Sequence, residues 1–179
     1  MKRRKGGFTL TEILVYMAIV AILFTIVLSS LENRRQKQEF TIQKRNISMF
    51  IRKIQQYAQY NRKVYVLDFQ ISKGTVYFVD ENSGKRDIID KLEISRNISY
   101  MTNNTNKNAD FIRHTTEEGN FEKGFSVYLM DKKGSRIYYR ISTNTINAAK
   151  YPIISIYRAK SPIDVKQDYT NTALWEEEL

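Results

Sequence analysis

The 179-residue sequence has no cysteine, one histidine, two prolines and seven glycines. Without cysteine there is no disulfide scaffold, thiolate zinc site, cysteine nucleophile or iron–sulfur centre. His114 alone supplies no histidine cluster for a metal and no His-based acid–base pair. Few glycines and prolines, with 12% aromatic residues, exclude collagen-like, linker-like and largely disordered chains. A content of 42% hydrophobic and 27% charged residues suits one globular domain plus an extension. Most enzyme classes lose their usual equipment, and the sequence assigns no catalytic residue, cofactor or metal ligand.

The net charge of +10 is concentrated at one end. Residues 1–7 hold four cations, Lys2, Arg3, Arg4 and Lys5, and no acid. Residues 8–63 carry nine Lys/Arg against Glu12, Glu32 and Glu39, whereas residues 64–179 carry sixteen Lys/Arg against sixteen Asp/Glu. A basic block confined to the N-terminal third points to membrane topology before it points to nucleic acid.

From Ile13 to Leu28 the chain reads ILVYMAIVAILFTIVL, with only Thr25 outside the apolar class. Counted from Phe8, the run is long enough to cross a bilayer core, which takes about 20 apolar residues as a helix. A secretory signal would have a shorter apolar core and a small-residue cleavage site beyond it. Here the run passes instead into the polar stretch Glu32–Lys37. The cations ahead of the run place its N-terminal side in the cytoplasm, although Arg34, Arg35 and Lys37 on the far side weaken that asymmetry. Glu12 is the anomaly. A charge in an apolar span costs a few kcal/mol by insertion scales and is read first as functional, the alternative being a headgroup-level position.

The string Lys5-Gly6-Gly7-Phe8-Thr9-Leu10-Thr11-Glu12-Ile13-Leu14-Val15, followed by the apolar run, resembles the class III signal of type IV prepilins and type II secretion pseudopilins. The resemblance implies cleavage between Gly7 and Phe8 by a prepilin peptidase, after the basic leader Lys2, Arg3, Arg4 and Lys5. It implies N-methylation of Phe8 and places Glu12 fifth in the mature chain, where the family has its assembly glutamate. Thr11 stands where the family more often has Ile or Val, and the helix-loosening Pro of some pilins is missing near Ser29. Neither departure touches the processing residues. Cleavage also has a physical consequence here. It turns the Phe8 amide into an amine with an ordinary pKa of about 7.7–8.0, a cation able to pair with a neighbour's Glu12.

Neither Gly nor Pro occurs between Phe8 and Gly74. Ile47, Phe50, Ile51, Ile54, Tyr57 and Ala58 follow one helical face. One helix is therefore expected from about Phe8 to Asn61, roughly 80 Å long at about 1.5 Å per residue. Arg34, Arg35, Lys37, Lys44, Arg45, Arg52 and Lys53 are read as a solvated face, with a polyanion-binding stripe as the alternative. Beyond Asn61 the pattern turns to strands. Val64–Phe69 and Thr75–Val79 form one expected hairpin, and Phe125–Met130 and Arg136–Ile141 a second around Gly134. Short strands are expected at Leu92–Ile94 and Ile98–Tyr100, an Asn-rich loop at Thr102–Asn108, and a last strand at Tyr151–Tyr157.

The expected fold is α+β, a long N-terminal helix packed on an antiparallel sheet in pilin-like fashion. Its divisions are a leader (1–7), a transmembrane or assembly helix (8–31), an amphipathic continuation (32–63), a β-rich domain (64–160) and a polar, loosely held tail (161–179), part of which Trp175 is expected to anchor. The order of elements resembles H-type pseudopilins and competence minor pilins. His114 is expected in an exposed loop. Asp80-Glu81 and Glu117-Glu118 are weighed as oxygen ligands for calcium but read as solvated. The glycosylation-like triplets at Asn46, Asn97 and Asn103 are read as chance matches.

The resemblance implies a structural, non-enzymatic subunit of a pilus-like filament in type II secretion, a type IV pilus or DNA uptake. Its implied partners are the prepilin peptidase, other pilins, the membrane, and secreted cargo or DNA. Its implied location is the bacterial inner membrane in a single pass, C-terminal domain outside the cytoplasm, and then the filament. The alternatives are a DNA-binding competence pilin and a membrane-anchored sensor with an uncleaved signal anchor.

Overall fold

The computed structural model describes residues 10–82, 85–102, 108–144 and 153–178. The chain separates into two units, Met1–Glu39 and Phe40–Leu179. Helix α1, Leu10–Asn61, is unbroken, as a stretch without Gly or Pro allows. The expected start at Phe8 lies outside the described residues. The helix stops where Arg62 takes a left-handed φ of 52° and Lys63 N–H donates back to the Ala58 carbonyl at 3.2 Å. This is the usual helix-ending turn, made here without glycine.

In the second unit, nine strands follow α1: β1 (Val66–Gln70), β2 (Thr75–Asn82), β3 (Lys85–Glu93), β4 (Ser99–Thr102), β5 (Phe111–His114), β6 (Phe125–Met130), β7 (Arg136–Asn144), β8 (Ile153–Asp164) and β9 (Trp175–Glu178). They form two antiparallel sheets, ordered β3-β2-β1-β5 and β4-β6-β7-β8-β9. The architecture is the expected α+β arrangement, a long N-terminal helix ahead of antiparallel sheets, pilin-like in its order.

Residues 40–61 of α1 supply one wall of the core. Phe40, Ile47, Phe50, Ile51, Ile54 and Ala58 are buried against Leu67, Phe69, Val76 and Phe78 of the first sheet and Phe125, Val127, Leu129 and Ile141 of the second. The helical spacing selected five of these six. Tyr57, also selected, stays 42% exposed and touches Tyr65 and Phe78 edge-on, whereas Phe40, off the regular spacing, packs on Tyr138 at 4.9 Å. Gly119 (φ +84°) lies so close to the helix that a β-carbon there would sit 2.4 Å from the Gln55 carbonyl oxygen. Only glycine fits.

Three elements depart from expectation. Leu92 and Glu93 belong to the nine-residue edge strand β3, whose alternating charges hid its strand character; a bulge opposite Phe78/Val79 and those charges blunt the edge. His114 is not in a loop but ends strand β5, pairing in register with Val66. Most of the tail is also structured. Strand β8 runs on to Asp164, past Pro162, and β9 pairs with its Ile156–Ala159 segment. Trp175, Tyr169, Leu174 and Val165 cover Met130, Ile137 and Tyr128 on the face of the second sheet away from the helix. A few large apolar residues in a polar stretch suffice, and the indole N–H closes on the Tyr169 carbonyl at 2.9 Å. Of the Asn-rich loop only Thr102 and Asn108 are described; Tyr151 and Pro152 lie outside the described residues, as does Asn103.

Because the half-helix walls the core, a chain starting at Glu32 should fold, whereas one starting at Val64 should aggregate or stay unfolded. The second loses Ile47, Phe50, Ile51 and Ile54, each worth about 1.5–3 kcal/mol when buried, against a total domain stability of about 5–15 kcal/mol. Urea titration followed by Trp175 fluorescence distinguishes them.

The hydrogen bond from Lys53 holds the Asp90 carboxyl below its ordinary pKa, with its own solvation loss opposing. A carboxyl lowered by folding stabilises the fold above its unfolded value, and the gain disappears as pH falls through the folded value. Asp90→Asn should therefore cost stability at pH 7 and nothing near pH 2. This pair is solvent-screened, so a cost below about 1 kcal/mol is expected in urea titrations at the two pH values.

Candidate functional site

Within the first unit the stretch from Leu10 to Leu28 is apolar on nearly every side, and this defines the site. From Leu10 to Leu28 every side chain is exposed, including Leu10 (78%), Met17 (67%) and Phe24 (63%). It is the one helix among the described residues long and apolar enough to cross a membrane. In water such a surface is strongly unfavourable, at about 25 cal/mol per Å² of apolar area. Only lipid or other apolar helices satisfy it. The hydroxyl of Thr25, the single polar side chain inside the densest run, donates to the Ala21 carbonyl at 2.9 Å and so meets that surface already satisfied.

Glu12 lies in the first turn of α1, is exposed, and is the sole acid between Leu10 and Leu31. The partial positive charge of the helix N-terminus favours a carboxylate there, which offsets part of the cost of an ionised group beside lipid. The other residues that sequence reasoning selected, Lys2, Arg3, Arg4, Lys5, Gly7 and Phe8, lie outside the described residues. The structure thus places one member of the set and leaves its relation to the others to chemistry.

The basic positions separate into two groups. Arg34, Arg35 and Lys37 are exposed in the first unit. In the second, Lys44 is ion-paired with Glu178 on β9 and lies over the Tyr139 ring, and Lys53 pairs with Asp90 at 2.6 Å. These two link the helix to both sheets; Lys44 is largely covered, whereas Lys53, like Arg45 and Arg52, stays exposed as the solvated-face reading expects. Two of the weighed calcium ligands are also engaged. Asp80 is ion-paired with Lys63, Glu81 sits 4.0 Å from His114, and among the described residues no group of three His, Asp or Glu converges. The Lys44–Glu178 contact, across 134 residues of chain, had no sequence signal beyond opposite charge.

Residues 2–28 match the family model described as the prokaryotic N-terminal methylation motif. The motif is characteristic of type IV prepilin-like proteins, which are structural, and the matched segment spans the basic leader, Gly7-Phe8, Glu12 and the apolar run. No curated protein and no solved structure matches the chain. An N-methylation motif heading a long apolar helix fits a membrane-anchored, pilin-like protein.

Putting Lys at both Val20 and Leu23, in the middle of the exposed apolar surface, should release the chain from carbonate-washed membranes. Each charge at a span centre costs about 2.5–3.5 kcal/mol on insertion scales. Glu12→Val should leave membrane retention unchanged or increase it.

Proposed function

We propose that this chain is a minor pilin or pseudopilin, a structural subunit of a type IV pilus-like filament, and not an enzyme. One coincidence carries the reading. The methylation motif heads a helix whose stretch from Leu10 to Leu28 is exposed and apolar but for a single acid, Glu12, in its first turn. A soluble receptor or enzyme has no use for that combination, whereas a subunit that leaves the membrane to join a bundle of like helices needs all of it.

In this reading the chain is held in the inner membrane in a single pass, with residues 40–179 outside the cytoplasm. A prepilin peptidase cuts between Gly7 and Phe8 on the cytoplasmic side, removing four cations that would otherwise keep the N-terminus at the lipid headgroups. The freed amine of Phe8 is methylated and stays protonated at neutral pH, because methylation leaves the nitrogen basic. Glu12 of a neighbouring subunit accepts it in a low-dielectric bundle, where opposite charges attract strongly and set the axial register. The machine is a secretion system, a pilus or a DNA-uptake apparatus. DNA binding has little support, since cleavage removes four cations and residues 64–179 carry sixteen Lys/Arg against sixteen Asp/Glu, leaving no long-range positive field.

Coexpression with a prepilin peptidase should shorten the chain by its seven leader residues and add one methyl group, read by intact mass. A bulky residue at Gly7 should block both changes. A chain that still begins at Met1 in cells containing the peptidase would defeat the proposal. Glu12→Ala should be cleaved normally yet fail to enter the sheared filament fraction, as seen by immunoblot; full incorporation would remove Glu12 from the assembly contact.

A further inference from the structure

On the face of the second sheet that points away from α1, four residues stand side by side across four strands. Tyr128 on β6 is in register with Arg140 on β7, Arg140 with Tyr157 on β8, and Tyr157 with Glu177 on β9. The guanidinium carbon of Arg140 lies 5.8 Å from the Tyr128 ring centre and 5.4 Å from that of Tyr157. Its Nε–H donates to Ser126 Oγ at 3.0 Å, and Ser126 in turn bonds Ser142 Oγ at 3.1 Å. Tyr128 is buried, with Tyr169 of the C-terminal segment against it at 5.1 Å. The arginine is therefore fixed at its neck and walled by two rings.

No carboxylate forms an ion pair with Arg140 among the described residues, although Arg86 and Arg158 both have one. The Nε–Ser126 bond uses one of its five N–H donors and leaves the four on the terminal nitrogens. A half-buried, preorganised guanidinium with no ion-paired carboxylate among the described residues is an incomplete fork. The geometry points to Arg140, between Tyr128 and Tyr157, as the anchor of a docking surface for an acidic side chain of a partner protein.

The chemistry selects that occupant. A carboxylate in the plane of a guanidinium takes two parallel hydrogen bonds, and aromatic walls keep water from competing. Tyr and Arg are also the residue types that dominate protein interfaces when clustered. A nucleic-acid backbone, in contrast, is held by several cations along a track. This row offers one cation, Arg140, and no such track. The docking surface stands on residues 126–177 and does not depend on how the N-terminal helix is used.

The test uses the full chain in detergent micelles and fluorescein-labelled hexaglutamate, with hexaglutamine and a six-residue oligothymidylate as comparisons, read by anisotropy. Hexaglutamate should bind, and Arg140→Gln should weaken it about tenfold, the equivalent of about 1.4 kcal/mol. Arg140→Lys should lie between the two, since it keeps the charge and loses the fork, and Lys132→Gln should change little. Tyr157→Ser, which removes one wall and leaves the charge, provides a second variant should Arg140→Gln disturb folding by urea midpoint. Equal losses at Arg140 and Lys132, or no binding of hexaglutamate, would overturn the proposal. Tighter Arg140-dependent binding of the oligothymidylate would replace it with a nucleic-acid site. Dimerisation in sedimentation that Arg140→Gln abolishes would assign the acid to a second copy's Glu176–Glu178 run and reject a foreign partner.

Discussion

Everything in this molecule follows from one constraint, an apolar helical surface that the chain cannot bury by itself. Nineteen consecutive residues from Leu10 to Leu28 are exposed, and the described structure offers them no wall. Their apolar area has to be satisfied from outside, by lipid first and by other helices in the proposed filament afterwards. A carboxylate in the first turn of such a helix is costly unless its location is useful. In the proposed function, its place near the cleavage point makes it useful only after the Phe8 nitrogen has become a cation, so that processing and assembly would share one electrostatic event.

The second unit solves the opposite problem. Residues 40–61 of the same helix bury one face against both sheets, and two of their four cations, Lys44 and Lys53, pair with Glu178 and Asp90. The C-terminal segment then covers the far face of the second sheet through Tyr169, Leu174 and Trp175. A domain that is neutral overall and closed on both faces of that sheet leaves few places for a partner. The row centred on Arg140 is one of those places, because its charge has been fixed in geometry but not balanced.

Legibility in the sequence followed the strength of each local signal. Gly7-Phe8, Glu12 and the apolar run are readable because charge and hydropathy change abruptly over a few residues, and the family match covers the same stretch. The helix was readable from the absence of breakers and the spacing of Ile47, Phe50, Ile51 and Ile54. Both hairpins announced themselves through β-branched runs around Gly74 and Gly134. Strand β3 did not, since an exposed edge strand with alternating charge lacks the apolar face that marks a strand. Nor did β5 or β9, four residues each, whose strand character comes from long-range pairing with β1 and β8. The Lys44–Glu178 pair and the Tyr128–Arg140–Tyr157 row join residues whose proximity exists only once the sheet register is set.

The contact between the Phe8 amine and a neighbour's Glu12 is the central claim, and the cysteine-free sequence gives a clean means of measuring it. Single cysteines replacing Thr9 in one subunit and Ile13 in its neighbour, whether a second copy or another pilin, flank the proposed ion pair. In cells that hold the peptidase and the filament apparatus, mild oxidation should give a disulfide-linked pair on non-reducing gels. The link should disappear when a bulky residue at Gly7 prevents cleavage. Crosslinking of equal strength in cleaved and uncleaved chains would contradict the account, because the Phe8 nitrogen carries no charge until the leader is gone.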